Sequence, residues 1–202
     1  MISLQSLFKS SIIYTIGTSI MRIMTFLLLP LYTNVLDSNG NFWYGNFVLV
    51  ITFISFLRIC YSHGIGDGFL KLYSESEDKK KIMSTYLIYV VFVFTGISSL
   101  ILILDYIFPQ FNSDNLIGLL QSQTKLILLI VMCDTLNFRI IDILRIKNYA
   151  AYHMFGQICG IITTLYFSLY FVKGKLMGLE GALLALFYGG LVTLLIFFPV
   201  FL

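Results

Sequence analysis

Apolar residues in this chain gather into long blocks of about 20 positions, divided by short polar stretches. The blocks fall near residues 12–32, 44–64, 83–104, 124–143, 150–172 and 181–202, and each predicts one membrane-crossing helix. At ~1.5 Å of rise per residue, a block of this size covers a hydrocarbon core of ~30 Å. Backbone amides in lipid need partners within their own segment or in a closed barrel. Barrel strands would read as short alternating segments, which are missing here. The pattern therefore predicts an all-α membrane protein, a bundle of six transmembrane helices. The second block either stops near Gly64 or runs on to Leu72. Residues 34–43 (NVLDSNGNFW) read as a turn-rich loop, 73–82 (YSESEDKKKI) as a charged one, 109–115 as a polar one and 144–149 (LRIKNY) as a basic one.

Composition sharpens this picture. Of 202 residues, 58% are hydrophobic and 11% charged, against about 25% charged in a soluble domain. A net charge of +3, scattered along the chain, does not suit nucleic-acid binding. Lys9, Lys71, Lys79, Lys80, Lys81, Arg145 and Lys147 fall on one predicted side, and Lys125, Lys173 and Lys175 on the other. The richer side is expected to be cytoplasmic, with both ends of the chain inside. The amino-terminal block is too long for a signal-peptide core and reads as a retained first span. The last block ends in LLIFFPVFL without a basic tail, so the chain is expected to be a fragment, a truncated gene product or one half of a longer protein. Cys60, Cys133 and Cys159 are too widely spaced for a metal site or a disulfide framework. No phosphate loop, HExxH or GxSxG motif occurs, so neither catalysis nor a cofactor is expected.

The candidate chemistry lies in charges that interrupt apolar blocks. A charge at mid-bilayer costs at least ~2.5–3.5 kcal/mol on insertion scales. Arg22 stands ten residues beyond Ile12, ~15 Å along a helix, too deep to reach the surface by snorkelling. It is read either as an anion-binding group on a cavity wall or as a structural partner of a carboxylate. Asp134 lies equally deep in the fourth block. Arg139, five positions on, is about 140° round the helix from it, so Asp134 is expected to meet another helix, near Arg22 or Arg58. Asn137 shares its face and extends a polar stripe. Arg58 snorkels if its helix ends near Gly64 and lines the cavity if the helix continues. Arg139 and Asp142 read as a local ion pair, as do Asp67 and Lys71. Residues 62–68 (SHGIGDG) mark either a flexible helix end or a ligand-facing bend.

Several segments occur in a telling order: FLLLPLYTNVL at 26–36, HGIGDGFLKLYSESEDKKKIMSTYL at 63–87, LRIKNYAAY at 144–152 and GLEGALLAL at 178–186. In order and spacing the chain resembles the amino-terminal half of polysaccharide biosynthesis membrane proteins. These are the Wzx-type oligosaccharide flippases of the multidrug/oligosaccharidyl-lipid/polysaccharide exporter superfamily. The family's LPLYT segment matches residues 29–33 and its earlier basic residue matches Arg22. Residues 64–68 stand where the family has G-L-D-S, with Gly66-Asp67-Gly68 a departure, and the loop 36–45 is longer than usual. The resemblance implies one six-helix lobe of a two-lobe exporter fold in a bacterial cytoplasmic membrane. It implies an undecaprenyl-pyrophosphate-linked glycan as substrate, as in O-antigen assembly, and polysaccharide-assembly enzymes as partners. Arg22, Arg58, Asp134 and Asn137 would line its cavity, with Asp67 and Asp134 as ion-coupling positions. The alternatives are a multidrug/cation antiporter of the same superfamily, with a pathway rich in carboxylates and aromatics, and a non-transport scaffold for polysaccharide assembly, with every intramembrane charge paired and no wet cavity.

Overall fold

The structure, a computed structural model, describes residues 43–62, 65–107, 116–147 and 149–200, with positions 12, 15, 19, 26 and 28–33 ahead of them. Among the described residues there is no strand. The helices are α1 (Trp43–Ser62), α2 (Ile65–Glu75), α3 (Lys79–Ile107), α4 (Leu116–Ile146), α5 (Ala150–Ser168) and α6 (Gly178–Phe197). A π-helical turn, Leu169–Gly174, extends α5, and a 3-10 turn, Phe198–Val200, follows α6.

Four segments are long and apolar enough to cross a membrane: Tyr44–Ser62, Lys79–Ile107, Ala150–Gly174 and Gly178–Phe197. The expected span at 124–143 falls inside α4, a helix of 31 residues. It carries Lys125, Asp134, Arg139 and Asp142 and is not one of the four. The expected span at 12–32 lies largely outside the described residues, as does Arg22 within it. The described residues are thus all-helical with four membrane-capable helices, and the expected count of six includes spans that lie partly outside them.

The charged loop is shorter than its composition suggests. Only residues 76–78 separate α2 from α3. Asp78 is the reason: its Oδ1 accepts the N–H of Lys81 at 3.3 Å and its carbonyl accepts that of Ile82 at 3.3 Å. This is helix N-capping, and it draws the three lysines into the first turn of α3. The basic loop is likewise short, because the N–H of Lys147 reaches the carbonyl of Ile143 and that of Tyr149 the carbonyl of Leu144, each at 3.0 Å. These bonds wind α4 directly into α5.

The core forms where α1, α4 and α6 meet, around Val50, Ile54, Leu57, Ile127, Val131, Ala182 and Leu183. Helices α5 and α6 pack closest, through glycines. A Cβ at Gly160 would overlap Thr193 Oγ1, and one at Gly189 would overlap Thr164 Oγ1. In lipid, where apolar side chains gain nothing by leaving the solvent, such backbone approach is what holds helices together. Helix α3 turns Ile88, Val91, Phe92 and Ile103 outward, an apolar surface of the kind that a bilayer covers. At one end of the bundle Phe69, Tyr73, Tyr86, Val90 and Ile143 join α2, α3 and α4. At the other, Tyr32 meets Ser168 hydroxyl to hydroxyl at 2.8 Å and stacks obliquely on Phe47.

Candidate functional site

The polar residues inside the bundle meet where the last turn of α1, the first turn of α2 and the carboxyl half of α4 converge. Arg58 lies one turn before the end of α1 at Ser62. Its Nη1 donates to Asp134 Oδ2 at 3.1 Å. Its guanidinium also sits over the ring of Phe138, 4.6 Å from the centroid. Asp134 and Phe138 are four positions apart and share one face of α4. That face offers a carboxylate and an aromatic π surface to a single cation, two attractions that reinforce each other.

Arg139 makes a second, deeper cluster. Its Nη2 donates to the carbonyl of Ser62 at 3.0 Å, one of the carbonyls that the end of α1 leaves without an intrahelical donor. Its Nη1 lies 3.7 Å from Asp142 Oδ2, the pair expected from their spacing, and its guanidinium faces the ring of Tyr86 at 5.6 Å. Helix α2 comes down on the same group. A Cβ at Gly66 would stand 2.8 Å from Arg139 Nη1, so glycine there leaves space for the guanidinium.

Between the two clusters opens a pocket of about 460 Å³, lined by Ser55, Arg58, Ile59, Ser62, Gly66, Thr135, Phe138, Arg139 and Asp142. The side chain of Arg58 is 38% exposed and that of Asp134 28%, whereas that of Arg139 is only 7% exposed. Arg58 is therefore the cation that a molecule in the pocket reaches first. Arg139 lies behind it, fixed by the α1 terminus. Two arginines and two aspartates cancel in charge, so the empty pocket is close to neutral while its accessible group is cationic.

The sequence-predicted residues are divided by this arrangement. Arg58 and Asp134 come together across two helices. Whether the helix of Arg58 stops near Gly64 or continues falls on residues 63–64, outside the described residues; its guanidinium turns towards α4 and lines the pocket. Asn137 takes a different direction: its Nδ2 donates to the carbonyl of Gly190 at 2.9 Å, tying α4 to α6, and it does not line the pocket. Asp67 falls within α2, but its side chain, like His63, Gly64 and Arg22, lies outside the described residues. Phe138, Ser55 and the Ser62 carbonyl were not singled out by sequence. Phe138 carried a signal, its four-residue spacing from Asp134; the carbonyl, a backbone group, carried none. No cluster of metal-ligating side chains occurs among the described residues.

The profile of a family described as polysaccharide biosynthesis protein matches residues 7–202. Comparison with curated proteins and with solved structures returns no significant match.

Proposed function

The chain belongs to the polysaccharide biosynthesis protein family, and from that premise we propose that it is a transporter which flips lipid-linked oligosaccharide across a bacterial cytoplasmic membrane by alternating access. The observation that carries the reading is Arg58, a half-buried guanidinium that lines an open pocket while a carboxylate from another helix holds it. A pyrophosphate group, such as that of an undecaprenyl-pyrophosphate-linked glycan, suits this arrangement. Its oxygens accept the bidentate fork of a guanidinium better than a lone carboxylate does. On arrival the phosphate takes the place of Asp134, and Arg139 adds a second positive centre at the back of the pocket. Asp134, once displaced, is a carboxylate able to take a proton or Na⁺, and Asp67 is the second ion-coupling position. Asn137 fixes α4 against α6; Arg22, a further cation of the proposed pathway, lies outside the described residues.

In this cycle the described helices form part of a six-helix, amino-terminal lobe, with its amino terminus in the cytoplasm. A second lobe closes the chamber, as in transporters built from repeated halves. No covalent bond changes, so the protein is not an enzyme, and the polysaccharide-assembly enzymes that build and consume the glycan are its functional partners. A scaffold without transport would favour sealed charges; the open pocket beside Arg58 argues for a passage instead.

Complementation tests the reading. In cells lacking the wild-type gene, Arg58→Ala at equal protein level is expected to lower glycan export at least about tenfold, the loss of one charge-assisted contact. Arg58→Lys, which keeps the charge without the fork, should recover part of it. Wild-type export from Arg58→Ala would refute the role assigned to this pocket.

A further inference from the structure

Opposite the arginine pocket, the end of α5 carries a second constellation. Tyr166, Phe167, Tyr170 and Phe171 lie on α5 and its π-helical turn, and Tyr188 on α6 joins them. Phe167 stacks on Tyr188 at 4.7 Å and on Phe171 at 5.4 Å. Tyr166 and Tyr170 lean edge-on against this inner group, at 5.3 Å and 5.2 Å. Their own rings are nearly parallel, 3° apart in plane and 6.5 Å between centroids. The inner rings are half-buried, but Tyr166 is 63% and Tyr170 46% exposed. The ammonium of Lys175 hangs over Tyr170 at 5.1 Å and Phe171 at 5.9 Å.

The backbone holds this group in an uncommon way. The N–H of Lys175 reaches back five residues to the carbonyl of Tyr170, at 3.0 Å, and that of Met177 six residues to Phe171, at 3.1 Å. The turn is one residue wider than a normal helix end, and such turns gather at functional sites. Leu176 then takes φ 52°, a left-handed conformation that costs a bulky side chain ~1–3 kcal/mol and that persists where a fold has a use for it. Lys175 just before it keeps a helical backbone, with its ammonium over the rings. Aromatic residues spread singly around a bundle need only the bilayer interface to explain them. Five rings in mutual contact, two of them beneath a lysine ammonium, need more.

We propose that Tyr166, Tyr170 and Lys175 form a sugar-binding platform for the glycan of the transported lipid. Exposed aromatic faces receive the C–H face of a pyranose ring, while the tyrosine hydroxyls and the ammonium are hydrogen-bond donors to its oxygens. The exposed Lys173 and Lys175 place the platform at the level of the lipid headgroups, where a glycan leaves the hydrocarbon. Tyr166 lies only ~6 Å deeper along the helix than Tyr170. The platform deepens the transport reading and rests on it: the arginine pocket takes the pyrophosphate, the platform the sugar.

Binding to the purified full chain in nanodiscs tests the proposal, using farnesyl pyrophosphate, farnesyl-pyrophosphoryl-N-acetylglucosamine and free N-acetylglucosamine as probes. The Tyr166→Leu/Tyr170→Leu variant keeps its apolar bulk, and its helicity and melting temperature are to be matched to wild type. It should bind the glycosylated lipid about tenfold more weakly, equivalent to ~1.4 kcal/mol for two lost rings, and farnesyl pyrophosphate unchanged. Tyr170→Phe, which keeps the ring and is the variant least able to disturb folding, should retain most of the affinity, and Lys175→Gln should lose part of it. A loss confined to the glycosylated lipid assigns the platform to the substrate headgroup, and a parallel loss for the free sugar assigns it to soluble glycan. Wild-type affinity for the glycosylated lipid in the double variant overturns the platform and leaves the arginine pocket standing. An equal loss for the sugar-free lipid also overturns it, making the tyrosines bilayer anchors. If the wild-type protein binds neither lipid, the transport reading falls, and the platform with it.

Discussion

Asp134→Asn separates a resident counter-ion from a merely structural ion pair. The substitution keeps shape and removes the charge that Arg58 meets at 3.1 Å. At that distance two unit charges interact by about 5 kcal/mol in an effective dielectric of ~20 and by about 1.3 kcal/mol in water. Both side chains are roughly a third exposed, so the lower part of that range applies, and solvent screening reduces it further. A net ~1–2 kcal/mol that Arg58 now spends on Asp134 becomes available to an incoming phosphate. Asp134→Asn should therefore bind farnesyl pyrophosphate about five- to thirtyfold more tightly than wild type, while glycan export falls because release slows. Titration calorimetry in nanodiscs reads the first effect and complementation the second. Arg58→Ala serves as the opposite control, with binding weakened. Equal or weaker lipid binding by a folded Asp134→Asn protein would refute competition between carboxylate and phosphate for one guanidinium.

Two further outcomes follow from the packing. Gly189→Leu forces a side chain into Thr164 on the neighbouring helix, and overpacking of this kind costs about 1–3 kcal/mol; thermal melting in detergent should show the loss, and an unchanged melt would mean that α5 and α6 do not approach as closely as described. Leu176→Gly acts in the other direction, since glycine adopts the left-handed conformation without the Cβ penalty; it should raise stability by about 1 kcal/mol in the same melt, and a destabilised protein would show that the Leu176 side chain matters more than its backbone.

What the sequence reveals depends on which groups make each contact. The Arg58–Asp134 pair was legible, because helical geometry denies Asp134 a partner in Arg139 and Arg58 is the one charged side chain within α1. Asn137 was legible only in part. Three residues advance a helix by about 300°, which leaves Asn137 some 60° to one side of Asp134, whereas Phe138 at four residues falls about 40° to the other. That difference is enough to give one to α6 and the other to Arg58. The 73–82 run reads as a loop by composition, yet a single aspartate at position 78 caps a helix inside it. The π-helical turn at Leu169–Gly174 is hidden altogether. Its residues have ordinary helical preferences, and only the tertiary closure through Met177 and Leu176 sets the wider turn.

The site is built on a helix whose apolar run is interrupted by charges. Among its charged residues, Asp134, Arg139 and Asp142 are the groups that meet Arg58 or surround the pocket. Each would cost several kcal/mol alone in hydrocarbon. In the fold Asp134 is relieved by a residue of α1, and Arg139 by the end of α1 together with Asp142. Helix α4 thus depends on α1 for a place in the bilayer, and the same dependence brings an accessible guanidinium to a pocket inside it. A wholly apolar stretch at this position would leave Arg58 without its carboxylate and the pocket without Arg139. The departure from apolar pattern in α4 and its ion pair with α1 are one physical fact, seen first in the sequence and then in the contact between two helices.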